Sequence, residues 1–114
     1  MPSERLIRRF EDILDNIVRI ERFTSGMDLA RFAADEQTMF AVLHALLIIS
    51  EAARKLAGQA EALASDQPWR DIRALGNVLR HQYDDVNLDA IWRIVRDELP
   101  NLKQAVERVL TELR

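Results

Sequence analysis

Five polar side chains that could act on a phosphate group lie close together between residues 68 and 86. On an α-helix, which turns about 100° per residue, Asn77 and Arg80 fall within about 40° of Arg73, and His81 lies about 80° away. A guanidinium binds a phosphate through two hydrogen bonds and stays charged, and an imidazole exchanges a proton near neutral pH. Together these groups could bind and cleave a phosphodiester. The alternative is a solvent-exposed arginine-rich face with one surface histidine, and the spacing alone favours that alternative.

The same helix must also carry a core face, because Ile72, Leu75 and Leu79 lie on the side opposite Arg73. Pro68 is well placed at its first turn, where a proline needs no hydrogen-bond donor. We expect the helix to end between His81 and Tyr83, because the residues that follow are typical of a turn.

The rest of the chain reads as amphipathic helix. Asp28, Asp35 and Asn87 are candidate N-caps, and Gly26 and Gly58 are candidate helix ends. A helix beginning after Asp35 has apolar residues on more than one face, so we expect it to be buried on most sides. Pro100 interrupts the last apolar pattern and predicts a kink or a split there. No strand pattern competes. The sequence predicts an all-α antiparallel bundle of about five helices, formed by residues 1–114 as a single domain.

Composition excludes several classes of site. The chain has 114 residues and no cysteine, which rules out disulfides, thiolate catalysis and cysteine-based zinc sites. The only histidines are His44 and His81, so we expect no metal site and no cofactor. The net charge is −3, and any RNA contact must come from a local basic patch. We find no signal peptide and no apolar run long enough to span a bilayer, and we expect a cytoplasmic protein with no membrane partner.

Several segments occur along the chain in a recognisable order. They are residues 20–27 (IERFTSGM), 47–53 (LIISEAA) and 68–72 (PWRDI), then Asn77, His81, Tyr83, Val86, Leu88 and Trp92, and residues 97–100 (DELP). In this order the segments resemble those of the HepT-like proteins of the HEPN superfamily. The resemblance covers nearly the whole chain, and it is specific as an ordered set although no single motif in it is.

The resemblance implies an all-helical homodimer that acts as a metal-independent endoribonuclease toxin of a type VII-like toxin–antitoxin system. Its active site would form where two copies of the motif helix meet. The family motif, Arg-Asn-x-x-x-His-x-Tyr, places Asn77, His81 and Tyr83 in the site. The implied partner is a minimal nucleotidyltransferase antitoxin, which would attach AMP to the motif tyrosine, Tyr83.

The chain departs from that motif at one position, because Gly76 stands where the family has its arginine. Arg73 and Arg80 are the two residues whose guanidinium could reach the same phosphate. In this reading His81 is the general acid or base, Asn77 orients the phosphate or the ribose, and Arg73 or Arg80 stabilises charge on the phosphate oxygens. Arg73, Arg80 and Tyr83 would bind the substrate, and Tyr83 would be the modification site. The glycine itself would let two helices approach closely.

Two other functions remain open on the sequence. In the first, Gly76 marks a catalytically silent HEPN dimer that binds a nucleotidyltransferase, a nucleotide or RNA through its arginine face. In the second, the chain is a helical dimerisation domain without any site. The silent dimer differs from the nuclease in whether a guanidinium lies beside His81. The set of Asn77, His81 and Tyr83, in its family context, argues against a domain without a site.

Overall fold

The computed structural model describes residues 2–81 and 85–114. Within those residues it is helical and contains no strand, which confirms the predicted all-α class. The last two α-helices and the π-helical segment between them form one interrupted helix. In chain order the elements are α1 (Pro2–Phe23), α2 (Leu29–Ala34), α3 (Glu36–Leu56), α4 (Gly58–Leu63), α5 (Trp69–His81), α6 (Leu88–Arg93), the π-helical segment (Ile94–Glu98) and α7 (Leu99–Leu113).

Helix α3 is the centre of the bundle, as its apolar residues on several faces predicted. It packs against α1 on one side and α5 on the other, and α7 packs against α1. Its buried positions include Ser50, a polar residue in an otherwise apolar set. Burial of the apolar side chains is the main stabilising contribution in a chain of this size. The fully buried large side chains of the core are Phe10, Ile13, Ile17, Ile20, Phe32, Val42, Leu46, Trp69, Val106, Val109 and Leu110.

Trp69 fixes the start of α5, the helix that carries the predicted motif. Its side chain is buried and meets the ring of Phe10 edge to face, with 6.3 Å between the ring centroids. Its indole Nε1 donates a hydrogen bond of 2.7 Å to the carbonyl of Ala64. The indole therefore buries a large apolar area without leaving its one donor unpaired.

The three predicted aspartate and asparagine caps are confirmed. Asp28 accepts from the amide of Arg31 at 2.9 Å, Asp35 from that of Thr38 at 3.0 Å, and Asn87 from that of Ala90 at 3.2 Å. Each side chain satisfies an amide that the first turn of a helix leaves without a partner.

Gly58 does not end α3, and that prediction was wrong. Ala57 provides the stop instead, with a φ of 49°, and Gly58 is the first residue of α4. Alanine rarely adopts this backbone conformation. The carbonyl of Ala57 accepts a hydrogen bond of 2.6 Å from Arg73, and this contact holds the turn in place.

The last helix is interrupted just before Pro100, as predicted, and the interruption is a π-helical segment. The amide of Leu99 donates to the carbonyl of Ile94, five residues earlier, where an α-helix would reach back four. Pro100 has no amide hydrogen, so it cannot donate to the carbonyl of Arg96 as an α-helix requires. None of the helices in the described part of the chain has the length and apolar character needed to cross a membrane.

Candidate functional site

Helices α3 and α5 are in close contact at Ser50 and Gly76. The buried Ser50 hydroxyl accepts a hydrogen bond of 3.0 Å from the Gly76 amide and donates one of 3.1 Å to the carbonyl of Arg73. A Cβ atom added at Gly76 would lie 2.8 Å from the Cβ of Ser50, which real packing does not allow. The glycine at the family's arginine position therefore serves the contact between these two helices, as the sequence suggested.

Arg73 is held within the fold. Its Nε donates to the carbonyl of Ala53 at 3.2 Å, and its Nη2 donates to that of Ala57 at 2.6 Å. Both terminal nitrogens also bind the carboxylate of Glu61, at 2.8 and 2.6 Å. Four of the five guanidinium donors are occupied in this way. Arg73 therefore ties α5 to the end of α3 and to α4.

Arg80 binds a different carboxylate from Arg73. Its Nη1 forms an ion pair with Oε1 of Glu51, and the same oxygen accepts a hydrogen bond of 3.0 Å from Arg54. The Nη1 atom of Arg80 also lies 3.6 Å from the point where a Cβ of Gly76 would stand. The Arg80 guanidinium therefore lies beside the contact between Ser50 and Gly76.

The other predicted polar residues of α5 face solvent. His81 is the last residue of the helix and is exposed, and so is Asn77 one turn earlier. Within residues 2–81 and 85–114 neither side chain forms a hydrogen bond or ion pair. Both are therefore available to a ligand. Tyr83, predicted to bind substrate and to be modified, lies outside the described residues.

Two carboxylates beside these arginines have shifted pKa values. Partial burial alone would raise the pKa of Glu51, but the hydrogen bonds and charges of Arg54 and Arg80 outweigh it and lower that pKa. The hydrogen bonds from Arg73 lower the pKa of Glu61, and the same contact raises the pKa of Arg73. Both carboxylates are therefore ionised at neutral pH.

The structure separates the two arginines that the sequence treated as equivalent. Arg73 and His81 are eight residues apart on α5, or about 12 Å along the axis. Arg73 is bound near the end of α3, whereas Arg80 is the residue next to His81 in the chain. Glu51 and Ser50 were not predicted as partners of the motif helix. Ser50 was predictable in principle, because it is a polar residue on the buried face of α3.

The surface beside His81 carries an exposed apolar side chain, Val78, and a second exposed imidazole, His44. Because α3 and α5 are antiparallel with Ser50 opposite Gly76, the end of α5 lies alongside the middle of α3. Val78 on α5 is 39% exposed, and His44 on α3 is also exposed. A single exposed apolar residue is common, but Val78 adjoins the candidate site.

The fold and this site together define a helical bundle whose motif helix presents an exposed histidine, an asparagine and a guanidinium. Comparison with known proteins agrees. The family model described as ribonuclease HepT-like matches residues 13–109, and the chain belongs to this family. The resemblance recognised in the sequence is thus confirmed.

Curated relatives support the same assignment over most of their length. The chain is 34% identical over 99 residues to a probable ribonuclease HepT of Thermococcus cleftensis, covering 87% of this chain and 90% of the relative. It is 32% identical over 108 residues to a putative RNase of Methanocaldococcus jannaschii, covering 94% and 99%. It is also 32% identical over 91 residues to a putative RNase of Caldanaerobacter subterraneus, covering 80% of each. No solved structure matches the chain significantly.

Proposed function

We propose that this protein is a metal-independent endoribonuclease. The observation that carries the proposal is the exposed His81 at the end of α5. It matches the histidine of the family motif, and Arg80 is the residue directly before it. The relatives' names, probable ribonuclease and putative RNase, support RNA as the substrate.

The reaction uses the 2′-hydroxyl of the RNA as its nucleophile. Its oxygen attacks the adjacent phosphorus while a neutral His81 takes the hydroxyl proton. The bond from phosphorus to the 5′-oxygen then breaks, and the protonated His81 of a second subunit gives that oxygen a proton. The products are a 2′,3′-cyclic phosphate and a 5′-hydroxyl.

Arg80 is the guanidinium that we assign to the phosphate in this mechanism, in place of the arginine missing at Gly76. Its position beside Gly76, and the commitment of Arg73 to Ala53, Ala57 and Glu61, support this choice. Developing negative charge on the phosphate oxygens is stabilised by such a cation held in place beforehand. Glu51 holds Arg80 there, and Asn77 orients the phosphate or the ribose.

The active unit in this proposal is a homodimer with α5 of both copies at its centre. The exposed Val78 and the exposed His44, on the two helices that flank the site, support a second copy as the occupant of that surface. The dimer supplies the two His81 side chains that the two proton transfers need.

We further propose that the protein is a cytoplasmic toxin, neutralised by a nucleotidyltransferase antitoxin that attaches AMP to Tyr83. This follows from the family resemblance and from Tyr83 lying two residues after His81. The added phosphate and nucleoside would exclude RNA through bulk and through repulsion between negative charges.

A silent HEPN dimer is the second candidate, and the Gly76 contact with Ser50 favours it. Such a protein would bind RNA, a nucleotide or its partner without cutting.

One experiment separates the two candidates. The wild type and His81→Ala are incubated with bulk tRNA and mRNA in EDTA, after circular dichroism has shown equal folding. The nuclease predicts cleavage by the wild type alone, with cyclic phosphate ends. Absence of cleavage by a folded wild-type dimer, or cleavage that needs a metal, would reject it.

A further inference from the structure

A basic groove runs between the start of α1 and the end of α3, on a part of the surface that the proposed mechanism does not use. Its volume is about 840 Å³. Helix α1 supplies one wall, and the last residues of α3 with the start of α4 supply the other. Its lining residues are Glu4, Arg5, Leu6, Arg8, Arg9, Lys55, Leu56 and Gln59.

The groove concentrates positive charge on a chain whose net charge is −3. Four of its lining residues are cations and one is a carboxylate. Arg5, Arg8 and Lys55 are exposed, and none of the three forms an ion pair within the described parts of the chain. Arg9 has only a long contact of 3.5 Å with Asp12. These cations are therefore open to an external anion.

The groove and the candidate site both border helix α3. Lys55 follows Glu51 by four residues, so the two side chains share a helix face and lie about 6 Å apart along the axis. Arg54 lies between them in the chain and binds Glu51, which also binds Arg80. A linear anion with its reacting phosphate at Arg80 could continue past Arg54 into the groove.

We propose that this groove binds the sugar-phosphate backbone of single-stranded RNA next to the bond that is cut. The proposal rests on the proposed function for the identity of the ligand. The chemistry of the lining favours a phosphate backbone over an acidic protein segment. Among the described residues that line it, Leu6 and Leu56 are the only large apolar ones, and Leu56 is buried, whereas protein interfaces usually need an apolar or aromatic anchor. Arginine and lysine alone suffice for phosphate contacts.

The test compares two triple variants with the same change of charge, both in the His81→Ala background so that the RNA stays intact. One carries Arg5→Gln, Arg8→Gln and Lys55→Gln. The control carries Arg19→Gln, Arg31→Gln and Arg93→Gln, three exposed arginines outside the groove that form no ion pair among the described residues. The probe is a fluorescein-labelled 20-nucleotide oligouridylate, followed by anisotropy across a series of salt concentrations.

We expect the groove variant to bind about 100-fold more weakly at 0.1 M salt, and its slope of log K against log salt to fall by about 2, because each lost phosphate contact on a single strand removes about 0.7. The control should change the affinity less than fivefold. Equal weakening in both variants, an unchanged salt slope, or no binding by the parent would overturn the proposal. Loss of binding to an acidic protein with RNA binding intact would do so too.

Cleavage distinguishes this proposal from the proposed function. On a dinucleoside monophosphate, which does not reach the groove, the three groove substitutions placed in the wild-type background should leave the rate unchanged. On a long RNA they should lower it. If the wild type cuts no RNA at all while binding still depends on the groove, the nuclease proposal fails and the groove proposal stands.

Discussion

The Ser50 hydroxyl in α3 accepts a hydrogen bond of 3.0 Å from the Gly76 amide in α5. This contact explains the position at which the chain departs from its family motif. The two helices meet where a side chain at residue 76 would stand, and the Arg80 guanidinium, one turn later, lies beside the same point. Packing between two core helices and the choice of the phosphate-binding residue are thus linked.

The packing at this contact predicts that Gly76→Ala lowers the free energy of unfolding. Alanine gains about 1 kcal/mol of helix propensity over glycine, but overpacking costs about 1–3 kcal/mol, so a net loss of about 1 kcal/mol is expected. Gly58→Ala is the matched control, because a Cβ there meets no atom within 4 Å, and it should raise stability. Urea unfolding measures both. Ser50→Gly should relieve the clash in the Gly76→Ala protein, and a double mutant no better than the sum of its parts would contradict this account.

Arg73 and Arg80 should separate stability from activity. Arg73→Gln removes the contacts with Ala53, Ala57 and Glu61, so we expect a lower Tm and a kcat near that of the wild type below that Tm. Arg80→Gln should leave Tm within a few degrees of the wild type and lower kcat by 100-fold or more, the scale reported for loss of one charge-stabilising donor. Thermal unfolding and RNA cleavage are measured on the same preparations. The reverse pattern would assign the phosphate to Arg73.

The ion pair between Glu61 and Arg73 should make stability depend on pH. The pKa of Glu61 is lower in the folded chain than the ordinary glutamate value of about 4.3, so the pair stabilises the fold above that pH. The stabilisation should disappear as the pH falls through the folded pKa. We therefore expect Glu61→Gln to have a lower Tm than the wild type at pH 7, and the difference in Tm to shrink as the pH is lowered through the folded pKa. A difference that does not shrink in acid would mean that the charge of Glu61 is not its cause.

Much of the fold follows from local sequence signals. The caps at Asp28, Asp35 and Asn87 and the central position of α3 were predictable, because capping and apolar periodicity depend on residues within a few turns. The stop at Ala57 was not, because it depends on a hydrogen bond from Arg73, which is 16 residues away in the chain.

The candidate site was predicted as a set of residues but not as an arrangement. Helix geometry put Arg73, Asn77 and Arg80 on one face. It could not show that the Arg73 guanidinium is bound by residues at the end of α3 and in α4. That distinction depends on Glu61 and on Glu51, which belong to other helices. The roles assigned to His81 and Tyr83, the single domain and the dimer stay predictions.

The most direct test of the central claim is cleavage of one defined phosphodiester bond in EDTA. A short RNA with a mapped cleavage position is compared with the same RNA carrying a single 2′-deoxy nucleotide on the 5′ side of that bond. Our account predicts that the wild type cuts the RNA to a 2′,3′-cyclic phosphate and leaves the 2′-deoxy bond intact, because the attacking oxygen has been removed. Equal cutting of both oligonucleotides, or a 3′ end that is never cyclic, would contradict it.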